Sequence, residues 1–143
     1  MLRPAPESAR MSTVRRQINI DASPRTIWKS LTAPEELARW LGTEARVDAR
    51  AGGRFCLKVG GQEEVGMLHE FRPTGRLEVL WDKHSPGPWK GTRVLFQVAR
   101  DGAESVVHIQ HINPAFEDAA LRAPIDLFWK ETLLKLRESL ESA

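Results

Sequence analysis

The middle of the chain, from Ala45 to His111, alternates apolar and polar residues in short runs that are separated by turn-forming residues. Runs of this kind are typical of β-strands with one buried face. The breaks contain glycine, proline or aspartate in sequences that favour tight hairpins, at Gly60-Gly61, Pro73-Thr74-Gly75 and Asp101-Gly102. Because short connections join neighbouring strands, the pattern predicts an antiparallel meander, with strands near residues 44–48, 53–59, 63–71, 75–82, 91–99 and 104–111.

The end of the chain has a different periodicity. Apolar residues recur there at every third or fourth position, which is the spacing of one buried helix face, at Ile125, Phe128, Trp129, Leu133, Leu136 and Leu140. Proline is tolerated in the first turn of a helix, so the pattern predicts a long helix from about Pro124 to Glu141. Its wide apolar stripe needs a large partner, which the predicted sheet supplies.

The residues before the meander predict one strand and two short helices. Val14 to Ile20 alternates like a strand, and Ser23-Pro24 is a helix-start signal, because serine caps free N–H groups and proline suits the first helical position. Pro34 interrupts this helix and starts a second one. The order predicts an α+β fold, in which a curved antiparallel sheet of about six to seven strands grips a long C-terminal helix, with two short helices after the first strand.

Length and charge narrow the class of protein. The 143 residues fit one domain; we expect it to span residues 13–143, after a disordered tail at residues 1–12 in which Met11 is an alternative start. No run has the length and apolarity of a membrane span or a signal peptide, so we expect a cytoplasmic location. The formal charge of +2 leaves no dense basic face for nucleic acid.

The sequence contains few residues that could form a metal site, a cofactor-binding loop or a catalytic nucleophile. Cys56 is the single cysteine, which excludes an internal disulfide and multi-cysteine metal sites. No histidine pair has the close, same-face spacing of zinc ligands. Gly52-Gly53 is too short for a phosphate-binding loop, and it precedes a strand rather than a helix. We therefore predict no metal, no cofactor and no catalytic nucleophile.

Several short motifs match one family in their order and spacing. They are Ala22-Ser23-Pro24 followed by Ile27-Trp28, Ala51-Gly52-Gly53-Arg54-Phe55, Gly66 to Glu70, Arg76-Leu77 to Trp81, His111 and Phe128-Trp129. Together they resemble the Activator of Hsp90 ATPase homologue 1-like (AHSA1-like) family of the START/Bet v 1 (SRPBCC) superfamily. The resemblance covers roughly residues 13–142.

The resemblance implies the helix-grip fold, with an internal cavity between the sheet and the terminal helix. Members of the wider superfamily bind lipids, hormones or polyketide intermediates in this cavity, and some catalyse reactions on them. Eukaryotic members of the named family activate the Hsp90 ATPase, and an additional amino-terminal domain provides much of the chaperone contact. The 143 residues leave no room for such a domain, so we do not expect chaperone contact.

Large side chains would supply the ligand contacts in such a cavity, because ligand pockets are mostly apolar with a few polar groups. The candidates are Trp40, Phe55, Met67, Trp81, Phe96, Phe128 and Trp129. The alternative is that these residues fill an ordinary core. The proline-rich loop at residues 83–90, which contains Trp89, would either gate the mouth of the cavity or be disordered.

Two strand histidines are the polar candidates for the ligand site. His69 shares a face with Met67, and His108 lies in a later strand; facing inward, either could orient a ligand or exchange a proton near neutral pH. A slip of one residue in register would reverse these faces, so solvent-facing histidines are the alternative. We expect a structural role for His111 in the turn after the last strand, and we expect His84 to be exposed.

Three functions are consistent with these features. The leading one is binding of an unknown hydrophobic small molecule, apolar or lipid-like. The second is a cyclase- or hydratase-type enzyme that uses His69 or His108 as acid or base. The third is a protein-interaction module, either a homodimer or a client of a chaperone system, which would need an exposed apolar patch.

Overall fold

A computed structural model describes residues 12–142, and within them the chain forms seven strands and three α-helices. The strands are β1 (Thr13–Ile20), β2 (Glu44–Val47), β3 (Arg54–Val59), β4 (Gln62–Arg72), β5 (Arg76–Trp81), β6 (Arg93–Asp101) and β7 (Glu104–Ile112). The helices are α1 (Pro24–Thr32), α2 (Pro34–Trp40) and α3 (Ala119–Glu141), and a 3-10 turn spans Pro114–Glu117. The predicted tail lies outside the described residues, apart from Ser12.

The strands form one antiparallel sheet in the order β1-β7-β6-β5-β4-β3-β2. Strands β2 to β7 lie beside their sequence neighbours, as the predicted meander requires. The first strand closes the other edge by pairing with β7, from Thr13 opposite Ile112 to Ile20 opposite Ser105. The helices pack on one face of the sheet, so the predicted α+β architecture is confirmed.

The helix starts follow from side-chain caps. Ser23 accepts a hydrogen bond from the backbone N–H of Thr26 at 3.1 Å, which caps α1 as predicted. The predicted start of α3 near Pro124 is wrong, because α3 begins at Ala119 after Asp118, which caps it by accepting from the N–H of Ala120 at 2.9 Å. Proline in the second turn removes a single backbone donor, and the helix continues through it. Within residues 12–142, no helix has the length and apolarity needed to cross a membrane.

The core lies between the sheet and the inner face of α3. Trp129, Leu133 and Leu136 are buried on this face, as the apolar stripe predicts. An ion pair also ties β1 to α3, since Arg16 donates to both carboxylate oxygens of Asp126 at 2.9 and 2.7 Å. The two side chains are 35% and 41% exposed. Because solvent screens such a pair, it contributes little to stability beside the burial of apolar side chains.

Truncation of Leu136 tests the orientation of α3. Leu136 is 0% exposed and Leu134, on the outer side of the same helix, is 37% exposed. Because Leu136→Ala leaves a cavity under the helix, we expect the free energy of unfolding to fall by about 2–5 kcal/mol. The matched control Leu134→Ala should lose less than about 1 kcal/mol. Urea denaturation measures both, and equal losses would contradict this orientation.

Candidate functional site

The connection between β5 and β6, residues 82–92, folds back over the sheet, and we call it the strap. Its residues alternate in burial: Ser85, Gly87 and Trp89 are buried, whereas the prolines between them are exposed. This alternation inserts the indole of Trp89 between the sheet and α3. The loop for which the sequence left a gate or a disordered segment as alternatives therefore reaches the interior through Trp89.

A buried carboxylate on β4 holds the strap in place. Glu64 is 1% exposed, and it accepts hydrogen bonds from the hydroxyl of Ser85 at 3.1 Å and from the backbone N–H of Trp89 at 3.2 Å. Burial raises the pKa of the Glu64 carboxyl above its usual value, and these two donors oppose that shift. Glu64 therefore takes up a proton at a higher pH than a solvated glutamate does.

Gly87 lies directly against this carboxylate. A Cβ atom at residue 87 would overlap the side-chain carboxyl group of Glu64. The position therefore needs glycine for the close approach itself. The path of the strap depends on this contact as much as on its hydrogen bonds.

Trp89 completes a continuous network of aromatic side chains. Its indole stacks on Trp129 with ring centres 5.6 Å apart, and it meets Trp81 at 5.3 Å and Phe128 at 5.4 Å. Such pairs contribute about 0.5–1.5 kcal/mol each beyond the burial of area. We call the network the aromatic interior, and its members are Trp40, Phe55, Trp81, Trp89, Phe96, Phe128 and Trp129.

His111 lies beside the aromatic interior and uses both ring nitrogens. The indole N–H of Trp129 donates to Nδ1 at 3.1 Å, so Nδ1 carries no proton. Nε2 then carries the proton of the neutral ring and donates to Thr92 Oγ1 at 2.8 Å. The Thr92 hydroxyl donates in turn to the carbonyl of Trp89 at 2.7 Å. These hydrogen bonds connect α3 and β7 with the strap.

Burial keeps His111 neutral. It is 0% exposed, and desolvation lowers its pKa from 6.5 to about 3. Its ring contacts are to Trp89, Phe116 and Trp129, which offer no countercharge. His111 faces inward from β7 together with Ile109, and its ring also packs on Phe116 of the turn that follows the strand, with ring centres 5.3 Å apart.

The indole nitrogen of Trp81 differs from the other buried polar atoms. Trp81 is 4% exposed, and its Nε1 has no hydrogen-bond partner among residues 12–142. A buried donor without a partner costs about 1–3 kcal/mol. The ring lies between Phe55 and Trp89, with centres 6.0 and 5.3 Å away. The site therefore contains a donor whose hydrogen bond is unmade.

A groove of about 430 Å³ opens beside the aromatic interior. It runs between α2, the turn after β3 and α3, and is lined by Ala38, Arg39, Trp40, Leu41, Gly42, Thr43, Val59, Gly60, Phe128, Thr132 and Lys135. Trp40 and Phe128 belong to both the groove and the aromatic interior. Phe128 makes the link, because it faces the groove and contacts Trp89 and Trp129 at 5.4 and 5.0 Å.

The structure brings most of the predicted ligand residues together. The aromatic interior contains Trp40, Phe55, Trp81, Phe96, Phe128 and Trp129. In their present arrangement these side chains contact one another, as in a packed core, and only Trp40 and Phe128 also line the groove.

Met67, His69 and His108 lie on the opposite face of the sheet. Met67 is 38% exposed, and the exposed His69 follows Leu68 at a β-bulge. His108 lines a separate outer cleft of about 190 Å³. The inward positions on these strands belong to Leu68 and Ile109 instead, so none of the three predicted residues reaches the aromatic interior.

The sequence did contain a signal for the strap's anchor that was missed. Glu64 stands two residues before Gly66 and four before Leu68, so strand alternation places it on the inward face. A glutamate at such a position needs hydrogen-bond donors. The identity of those donors, Ser85 and Trp89, is not readable from periodicity because they lie in an irregular segment.

Metal ligands do not gather in the part of the chain that the structure describes. Within residues 12–142, no group of three or more His, Cys, Asp or Glu side chains is placed to hold a metal ion. Cys56 is partly buried on β3.

The sequence was compared with models of known protein families and with curated proteins. Residues 21–141 match the family model described as Activator of Hsp90 ATPase homolog 1-like protein. A comparison with curated proteins found no match. The match confirms the resemblance that the motifs predict.

Solved structures share the fold at low sequence identity. Protein MLL2253 of Mesorhizobium loti has a TM-score of 0.78 and 18% identity, with 92% of this chain and 98% of that chain covered. The Aha1 dimer of Colwellia psychrerythraea has a TM-score of 0.79 and 22% identity, covering 90% and 96%. DynU16, from the dynemicin biosynthetic locus, has a TM-score of 0.80 and 18% identity, covering 91% of this chain and 47% of that chain. The predicted helix-grip fold is confirmed.

Gly87→Ala should release the strap, because the added Cβ overlaps the Glu64 carboxyl group. We expect the free energy of unfolding to fall by about 1–3 kcal/mol and the tryptophan emission to shift to longer wavelength as Trp89 meets water. Gly75→Ala is the matched control, since the nearest atom to its Cβ is the Arg72 carbonyl oxygen at 3.6 Å. The control should change stability by less than about 0.5 kcal/mol. Indistinguishable variants would contradict this packing of the strap.

His111 should make folding stability fall as the solution becomes acidic. Its pKa is about 3 in the folded chain against an ordinary 6.5, so between these values the unfolded chain binds the proton more readily. The stability it supports is complete above 6.5 and is lost progressively as the pH falls toward 3. A group of this kind lowers the free energy of unfolding by about 2 kcal/mol between pH 7 and pH 5.

Urea denaturation of His111→Gln across this pH range isolates the effect, with His108→Gln as the control on the outer face. The raised pKa of Glu64 acts in the opposite direction, toward greater stability at low pH, and is common to all the proteins compared. The control should keep the wild-type loss, and His111→Gln should lack it. An unchanged loss in His111→Gln would rule out this histidine as its source.

Proposed function

The chain belongs to the Activator of Hsp90 ATPase homolog 1-like family, and we propose that it binds an apolar small molecule in the groove between α2 and α3. The observation that carries the proposal is the position of Phe128, which lines the groove and contacts Trp89 and Trp129 inside. A ligand on Phe128 therefore extends an aromatic surface that is continuous with the core. The groove's volume of about 430 Å³ lies within the roughly 300–1,000 Å³ of small-molecule sites.

The buried polar groups favour a ligand without charge on its inner part. His111 is neutral because burial lowers its pKa to about 3, and burial also raises the pKa of the Glu64 carboxyl. Both groups already have hydrogen-bond partners within the protein. An ionic group brought in among the aromatic side chains would lose its hydration and find no charged partner among them, which is unfavourable. Arg39 and Lys135 line the groove itself, so an acidic group on the ligand would be placed at the groove and not inside. An apolar or lipid-like molecule fits better.

The comparisons agree with a small-molecule role for this fold. DynU16, which shares the fold across 91% of this chain, is a protein of a biosynthetic locus. The likeness is one of fold at 18% identity, so it supports the class of function and leaves the ligand to be identified by experiment.

The enzymatic alternative has weaker support. A cyclase- or hydratase-type enzyme would need His69 or His108 as acid or base inside the cavity. Both histidines lie on the face of the sheet away from the groove. His111, the histidine that does face inward, has both ring nitrogens in hydrogen bonds. Acid–base chemistry needs a group that exchanges its proton with the substrate, and these placements do not supply one at the groove.

Homodimer formation is a second candidate, supported by the outer face of α3. Leu127 and Leu134, which are one heptad apart on this face, are 53% and 37% exposed. The structurally similar Colwellia protein is a dimer. Dimer formation through this face would leave the groove open, so the two candidates are compatible.

Binding of the neutral fluorescent probe N-phenyl-1-naphthylamine tests the groove. Ala38 lines the groove, so Ala38→Trp should fill it and weaken binding by at least roughly tenfold, about 1.4 kcal/mol. Ala99→Trp is the control, since Ala99 is exposed on β6. Fluorescence titration measures the dissociation constants. Equal binding by both variants would place the probe elsewhere and contradict the proposal.

Native mass spectrometry of protein purified from its own host would identify the natural ligand. A mass that is present under native conditions and lost on denaturation should be observed with the wild type and reduced with Ala38→Trp. A doubled protein mass that Leu127→Lys abolishes would support the homodimer.

A further inference from the structure

The unmade hydrogen bond of Trp81 specifies the chemistry of the ligand. We propose that the ligand carries a hydrogen-bond acceptor of the carbonyl or ether class, and that the indole N–H of Trp81 donates to it. The inference rests on the proposed small-molecule function and deepens it by naming the polar contact of the same site.

Two other indoles of the aromatic interior have hydrogen-bond partners of the kind that Trp81 lacks. Trp40 donates to the carbonyl oxygen of Ser30 at 2.8 Å, and Trp129 donates to His111 Nδ1 at 3.1 Å. Trp81 is 4% exposed and has no partner for its Nε1 among residues 12–142. Its tilted contact with the Trp89 ring, at 5.3 Å and 57°, offers at best a weak N–H to π interaction. A ligand oxygen would therefore gain a hydrogen bond that the protein itself leaves unmade.

Trp89 stands between the groove and this donor. It contacts both Phe128, which lines the groove, at 5.4 Å, and Trp81 at 5.3 Å. Trp89 belongs to the strap, whereas Trp81 ends β5 and is held by the sheet. A ligand that enters past Phe128 reaches Trp81 only if the Trp89 indole turns aside. The strap is held at this residue through its backbone N–H and carbonyl, so the ring can move while these hydrogen bonds remain.

The neighbouring groups favour an acceptor over a donor on the ligand. The inward-facing acceptors already have donors, because Glu64 accepts from Ser85 and Trp89, and His111 Nδ1 accepts from Trp129. A hydroxyl or amine on the ligand would compete with these bonds. A ketone, ester or ether oxygen requires only the donor that Trp81 has to offer. Phe55 packs on Trp81, and Phe128 lies at the groove, so the surface near the proposed hydrogen bond is aromatic, whereas the groove also has polar side chains.

Two matched probes test this assignment: 2-acetylnaphthalene, and 2-isopropenylnaphthalene, which has nearly the same planar shape and lacks the oxygen. Calorimetric titration of the wild type should show the acetyl probe binding roughly fivefold to tenfold more tightly. Trp81→Phe removes the N–H and keeps a ring, so the two probes should bind it equally. The control Trp28→Phe should keep the preference, because Trp28 packs on Phe71 of β4 outside the aromatic interior.

The outcomes separate the inference from the proposed function. Equal binding of both probes by the wild type, or a preference that survives in Trp81→Phe, overturns the role of Trp81 while the groove remains a binding site. Failure of either probe to bind the wild type overturns both. Bound water at Trp81 that no probe displaces would also appear as equal binding and would count against the inference.

A measurement on the wild type keeps the test valid if Trp81→Phe does not fold. The indole N–H resonance of Trp81 should move to lower field when the acetyl probe binds, and should not when the isopropenyl probe binds. The resonance is assigned by elimination, from phenylalanine variants of the other four tryptophans among the chain's five. No difference between the probes at this resonance would overturn the assignment.

Discussion

The burial of Trp129 is the interaction on which the other layers depend. This side chain of α3 is 0% exposed, stacks on Trp89 of the strap and meets Phe96 of the sheet at 5.7 Å. Its N–H also donates to His111 on β7. One residue thus connects helix, sheet and strap, and the large apolar area that it removes from water stabilises all three together. The groove lies beside it and is lined by residues of α2 and α3, among them Phe128.

The interior tolerates polar groups because nearly all of them are paired. Glu64 and His111 sit where a charge would be costly, and each meets its hydrogen-bond partners on the strap or next to it. Burial shifts the pKa of each group toward its neutral form, upward for Glu64 and downward for His111. The low local dielectric that strengthens these paired groups makes the unpaired N–H of Trp81 unfavourable in the free protein.

The hydrophobic pattern predicted most helices and strands, but it predicted the buried face correctly for only some of them. The apolar stripe through Trp129 and Leu136 identified the inner face of α3. The start of the helix was predicted near Pro124, which is too late, because the cap at Asp118 lies further upstream. His69 was considered for the interior, yet it lies with Met67 on the outer face, because Glu64, Gly66 and Leu68 take the inward positions of β4. Alternation groups residues by face, but it does not by itself say which face is buried, and a shift of one residue reverses the two.

The order of strands and helices followed from local signals, since alternation, turn residues and helix spacing act over a few positions. The candidate site did not, because Glu64, Trp89, His111 and Trp129 come from separate parts of the chain. Their hydrogen bonds and stacking require the sheet register, the path of the strap and the docking of α3 to be set at once. Only the folded structure does this, because long-range packing selects which aromatic side chains have bonded N–H groups and which, like Trp81, do not.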